Sequence, residues 1–117
     1  MIKVNSGQIV AGVMRYAERE LLPQYVGNSV AAVGMRAAAH MARQNPTKIR
    51  AMVDESAIMQ LFCMGGGFYD VDAMAETIKA GMTEEGLLFK LPVVGSIKLK
   101  HDDIDRLRMD IDQAESI

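Results

Sequence analysis

The residues with chemical potential in this 117-residue sequence fall into a few short groups, and each has a plain structural reading beside the chemical one. His101-Asp102-Asp103-Ile104-Asp105 places an imidazole and three carboxylates within five residues, donor types that suit zinc or a hard cation. Successive helical side chains diverge, however, and only Asp102 and Asp105 share a face. The spacing fits a helix start better: Asp102 or Asp103 as cap, further acid at the positive end of the dipole, and Arg106 and Arg108 later. The other histidine, His40, sits in an alanine-rich stretch, and nothing in the sequence brings the two together.

Met64-Gly65-Gly66-Gly67-Phe68 invites comparison with a phosphate-cradling loop, because glycine lets backbone amides approach an anion. That chemistry also needs a lysine followed by Ser or Thr, on a loop leaving a strand and opening a helix. Here Phe68-Tyr69-Asp70 follows, a helix precedes, and Asp70 would repel a phosphate. The expectation is a flexible connection between helices. Cys63 is the only cysteine, which rules out an intramolecular disulfide and a cysteine-rich zinc site. Within the apolar run Met59–Met64 it reads as a small buried hydrophobe. Glu84-Glu85 lies in a glycine-flanked turn and reads as solvated. No Ser-His-Asp order, paired CxxC or dinucleotide fingerprint stands out. The sequence therefore names no catalytic residue, metal ligand or cofactor-binding residue, and points to a non-enzymatic protein.

Two features suggest binding. Ten methionines are present, and methionine is flexible enough to fill irregular core gaps or to build adaptable binding faces. Core filling is the first expectation. The alternative is a binding or self-association face, with Met35, Met41, Met52 and Met59 as candidates beside the strand residues Ile97 and Leu99. Arg36, Arg43, Lys48 and Arg50 form a locally basic stretch with no acid before Asp54, and are the candidate contacts for an anion. They support a first alternative, a protein that sequesters a small molecule or nucleotide of a host pathway, and a second, a nucleic-acid-associated regulator. A formal net charge of −2 gives no general attraction to a phosphate backbone.

The elements that must position these residues follow from periodicity. Ser6 as cap opens a helix with Ile9, Val10, Val13, Met14, Ala17 and Leu21 at helical spacing, kinked or ended by Pro23. Gly27-Asn28 reads as a turn. The next helix, Val30 to about Gln44, is nearly bare: Gly34, Ala38 and Ala42 line up on one stripe, as expected of a central helix that others approach closely. Pro46 and Thr47 introduce a helix from Lys48 to about Cys63. Asp70 or Asp72 caps a short helix that ends near Gly81. Leu87–Leu91 and Ser96–Lys100 read as two strands joined by a turn through Pro92 to Gly95, and a last helix carries Ile104, Leu107, Met109 and Ile111. The fold expected over residues 1–117 is one mainly α domain of four to five helices with a small C-terminal β-hairpin (α+β).

The N-terminal segment lacks a basic start followed by an apolar run, so no signal peptide is expected. The stretch Leu21–Met35 is too short and interrupted to span a bilayer. A cytoplasmic or virion-associated protein without membrane contact is expected.

Several short segments occur in a fixed order: Val4-Asn5 before a helix containing Tyr16; Leu21-Leu22-Pro23 with Gly27; Val33-Gly34 in a small-residue helix; Asp70-Val71-Asp72 after a glycine break; and Leu91-Pro92-Val93-Val94-Gly95, a strand, then Asp103-Ile104-Asp105-Arg106-Leu107. Together they resemble a group of small proteins of tailed phages and prophages of Gram-positive bacteria. The resemblance implies a virion, assembly or accessory role, exercised through protein–protein contacts. An exposed hairpin edge is a ready template for pairing with another chain, so a homo-oligomer is expected.

Overall fold

The computed structural model describes residues 3–25, 29–91 and 95–117, and the described part is mostly helical with two small antiparallel sheets. The chain begins with a strand, β1 (Lys3–Asn5), which buries Val4 completely. Asn5, not Ser6, caps the first helix, α1 (Ser6–Tyr16). Its side-chain oxygen accepts from the Gln8 amide at 2.8 Å, and the Asn5 amide donates to Gln8 Oε1 at 3.1 Å. Ser6 is thereby freed for a tertiary bond.

The α-helical pattern stops at Tyr16 instead of running to Leu21. A π turn, Ala17–Leu21, and a 3-10 turn, Leu22–Tyr25, follow. Pro23 explains the change, since it offers no N–H to the carbonyl four residues before it. The bonding slips to i+5, with the Leu22 amide donating to the Ala17 carbonyl, and Gln24 Nε2 covers the Glu20 carbonyl at 2.7 Å.

Helix α2 (Ser29–Gln44) is followed by α3 (Pro46–Asp54) and a single turn, α4 (Ala57–Gln60). The long helix expected from Lys48 to Cys63 is thus broken at Ser56, which is extended, and the Gln60 side chain donates to the Asp54 carbonyl left exposed by the break.

The glycine run is a hairpin rather than a loose helix connection. β2 (Cys63–Gly65) and β3 (Phe68–Asp70) pair antiparallel, and β3 also pairs β1, giving the order β1-β3-β2. Gly65, Gly66 and Gly67 have φ of 90°, 64° and 79°, three successive left-handed positions that only glycine occupies without strain. Cys63 lies exposed on the outer strand, not buried as its apolar neighbours suggested.

Asp70 caps α5 (Val71–Ala80) by accepting from the Ala73 amide at 3.0 Å, and Gly81 ends it. The C-terminal hairpin is present as β4 (Leu87–Leu91) and β5 (Gly95–Leu99), in register from Leu87↔Leu99 to Leu91↔Gly95. The expected turn residues Pro92, Val93 and Val94, like Gly27-Asn28, lie outside the described residues. The last helix, α6 (His101–Gln113), starts after Lys100, with Asp103 reaching back to accept from the Lys100 amide at 2.8 Å. Neither Asp102 nor Asp103 stands at the cap position itself.

The core is small. Val4, Ile9, Tyr69, Val71 and Ile111 cluster between the β1-β3-β2 sheet, α1 and α6, with Met59, Met74 and Leu107 against them. α1 and α6 make the broadest helix contact. Gly12 permits it, because a Cβ there would lie 2.6 Å from both the nitrogen and Cγ1 of Ile111.

α2 is not the central helix its bare stripe suggested. It rests against α3 and the 3-10 turn, Gly34 has no atom near its missing Cβ, and among its side chains that are described only Ala39 and Ala42 are buried. The methionines fill the core only in part, Met59 and Met74 packing against its edge. None of those described is fully buried, and Met41, Met52, Met64 and Met109 are exposed.

Candidate functional site

Between α1 with its π turn and the inner face of α2 lies a groove of about 240 Å³. Val13, Met14, Ala17 and Leu22 form one wall; Met35, Ala38, Ala39 and Ala42 form the other. Glu18 and Arg36 are its charged lining residues. The Arg43 guanidinium meets the Glu18 carboxylate at 2.7 Å and ties α2 to the π turn. Both side chains are about half exposed, so this pair contributes at most about 1 kcal/mol and acts chiefly as a tether. Arg36 enters no ion pair among the described residues.

The wall is held from behind by a stronger contact. Arg19, inside the π turn, donates through both terminal nitrogens to the buried Asp110 of α6, at 2.8 and 2.6 Å, and Arg15 approaches the same carboxylate at 3.6 Å. Arg15 and Arg19 are four apart and so share a face. The opposite face, with Val13 and Ala17, is left to line the groove.

A second polar group lies beneath the sheet. Asp54 accepts from Ser6 Oγ at 3.0 Å and from Tyr69 Oη at 2.7 Å, while Arg50 Nε donates to Ser6 Oγ at 3.2 Å. Burial, with the Asp54 carboxylate beside it, pushes the Tyr69 phenol up to about 12. A serine, a carboxylate and an arginine together suggest nucleophilic chemistry on residue type alone. Ser6 and Tyr69 are only 0% and 1% exposed, so no substrate reaches either hydroxyl. The cluster fastens α3 to α1 and β3.

The expected interaction residues divide. Met35 lines the groove. Met41 lies on the outward side of α2 and Met52 on α3, both more than 60% exposed. Met59 packs on the core. Ile97 and Leu99 are half-buried on one face of β5, alternating with exposed Lys98. The four cations go to different tasks: Arg36 and Arg43 flank the groove, Arg50 is committed to Ser6, and Lys48 is exposed. Among the described residues no group of three or more His, Cys, Asp or Glu is placed to hold a metal ion.

Glu18, Leu22 and the Val13–Ala17 wall were not legible as a site. The available signal was the width of the first helix's apolar arc. Ile9, Gly12 and Tyr16 suffice to pack on α6, leaving Val13, Met14 and Ala17 in need of another partner. No described helix is long and apolar enough to cross a membrane. The chain matches no family model, no curated protein sequence and no solved structure.

Proposed function

We propose that this chain is a non-enzymatic protein that acts by protein–protein contact and self-associates, with the α1–α2 groove as its receptor surface. The setting is a phage or prophage, in the virion or the host cytoplasm, and the support for that part is the sequence resemblance alone.

The observation that carries the reading is the character of α2. Its inner side is Ala32, Met35, Ala39 and Ala42. At 100° per residue Val30, Val33, Gly34, Ala37 and Met41 fall on the opposite side, with Val30, Val33 and Met41 each more than 60% exposed. Its polar side chains, Arg36, His40, Arg43 and Gln44, gather in an arc of about 100°, and the apolar remainder is wider than the single buried face of an ordinary surface helix. Here about half its circumference faces solvent, next to an apolar groove. Exposed apolar patches of roughly 300–600 Å² on a monomer are often functional. The nucleotide-sequestering alternative draws no such support, because only two of its four cations flank the groove and one of those is paired with Glu18.

Light scattering on size-exclusion fractions across a range of concentrations tests the reading. The wild type is expected to show mass rising with concentration, and Ala38→Trp, which fills the groove from an exposed helix position, to remain monomeric. A wild type that stays monomeric at every concentration refutes it.

A further inference from the structure

We infer that the groove receives the Ile58–Leu61 corner of a second copy of this chain, so that copies join head to tail. The inference rests on the self-association reading above and names the occupant of its groove.

The two most exposed large hydrophobic residues among those described are Leu61, at 78%, and Ile58, at 70%. They stand three apart on α4 and its C-terminal cap, Leu61 keeping helical dihedrals, so their side chains are neighbours on one exposed face. Neither belongs to the core cluster or to the hydrophobic residues packed against it. An apolar cavity of about 150 Å³ holds benzene, with six carbons. On that scale the groove's 240 Å³ is of the right size for the eight side-chain carbons of Ile58 and Leu61.

Charge agrees with size. The chain enters the corner through Glu55, exposed and in no ion pair among the described residues. The groove carries Arg36, an exposed cation likewise without an ion pair there. Docking the corner thus brings an acid toward a base while two apolar side chains leave water.

Knob and groove are different surfaces of one chain, and each is present once. Such a contact is heterologous: it leaves a free knob at one end and a free groove at the other, and repeats into rings or open filaments. A symmetric pairing of two α2 helices would use neither Ile58 nor Leu61.

The test uses two full-length variants, each lacking one half of the contact. Ile58→Asp with Leu61→Asp removes the knob at positions too exposed to matter for the fold; Ala38→Trp blocks the groove. Each alone is expected to be monomeric, with association weakened roughly 100-fold from the loss of burial. Mixed, they are expected to form a capped 1:1 dimer and nothing larger, since only one competent knob and one competent groove meet. Glu55→Arg should weaken wild-type association by up to about fivefold, and adding Arg36→Glu should restore it. If Ala38→Trp abolishes association while the knob variant assembles like wild type, the groove is an interface and the inferred occupant is wrong. If the mixed variants stay monomeric while wild type assembles, the head-to-tail arrangement is wrong. A wild type monomeric throughout overturns the self-association reading and this inference with it.

Discussion

Replacing Gly12 by alanine is a sharp test of how closely α1 and α6 approach. The new methyl carbon would lie 2.6 Å from the Ile111 nitrogen and from its Cγ1, and closer still to its Cα. Two of these three atoms are backbone, so no rotamer change relieves the clash and α6 must shift as a unit. Forcing an extra carbon into a packed interface costs about 1–3 kcal/mol, at times more, and backbone obstruction places this case at the upper end. Alanine returns about 1 kcal/mol in helix propensity, leaving a net loss of about 2 kcal/mol. For a chain of this length that lowers Tm by roughly 8 °C.

The control is the same substitution at Gly34, also inside a helix but with no atom within 4 Å of the added carbon. There the propensity gain stands alone, and a rise of roughly 4 °C is expected. Thermal and urea unfolding of the two variants beside wild type would measure both signs. Gly12→Ala as stable as wild type would refute the close approach. A destabilised Gly34→Ala would show that α2 is covered on its Gly34 side.

Further outcomes follow from the polar contacts. Asp110→Asn should cost about 2 kcal/mol in urea unfolding, because it strips the charge from a buried carboxylate that two arginines share; the half-exposed Arg19 keeps the loss below the full buried-pair value of about 3–5 kcal/mol. Tyr16 and Tyr69 are both pushed up to about 12, by burial first and then by Asp103 and Asp54 respectively. The unfolded chain releases these protons near pH 10 and the folded one near 12. Their contribution is therefore complete below pH 10 and disappears as pH rises toward 12. In a Tyr25→Phe variant, tyrosinate absorbance should rise together with loss of helical circular dichroism, and ionisation with the fold intact would contradict the burial. Asp103 shifts the other way. Burial alone would raise it, but the Lys100 amide and Arg106 hold it below the ordinary carboxylate range. Its contribution is present above the unfolded value and fades as acid titration passes the folded one, which acid unfolding of Asp103→Asn against wild type would detect as a smaller loss of stability at low pH.

What the sequence made legible was local. Asp70 before Val71, Gly81 after Ala80, and the alternation of Ile97 and Leu99 with Lys98 each encode a cap, a stop or a strand within a few residues, and these elements stand where expected. The failures are places where a distant partner decides. Ser6 and Asn5 are both good caps; Asn5 holds the position and the Ser6 hydroxyl is spent on Asp54, 48 residues away. Gly65–Gly67 reads as slack until Phe68–Asp70 pairs with Lys3–Asn5, which no local pattern announces. The stripe Gly34-Ala38-Ala42 says that something approaches closely, but not whether that something is this chain or another. The groove inherits the same ambiguity, since Val13 and Ala17 look identical in sequence whether they face a core or a partner.

The pairing of residues 3–5 with 68–70, and of α1 with α6, also bears on the order of events during synthesis. Val4 and Ile9 are made well before Ile111, which completes their enclosure and leaves the ribosome about a hundred residues later. Until α6 emerges, the nascent chain carries this apolar segment uncovered, and contacts between such distant residues are slow to form. A chaperone or another nascent copy has that interval in which to seize it. Protease digestion of ribosome-bound chains, stalled before or after the final helix clears the exit tunnel, should show protection arising only in the second case.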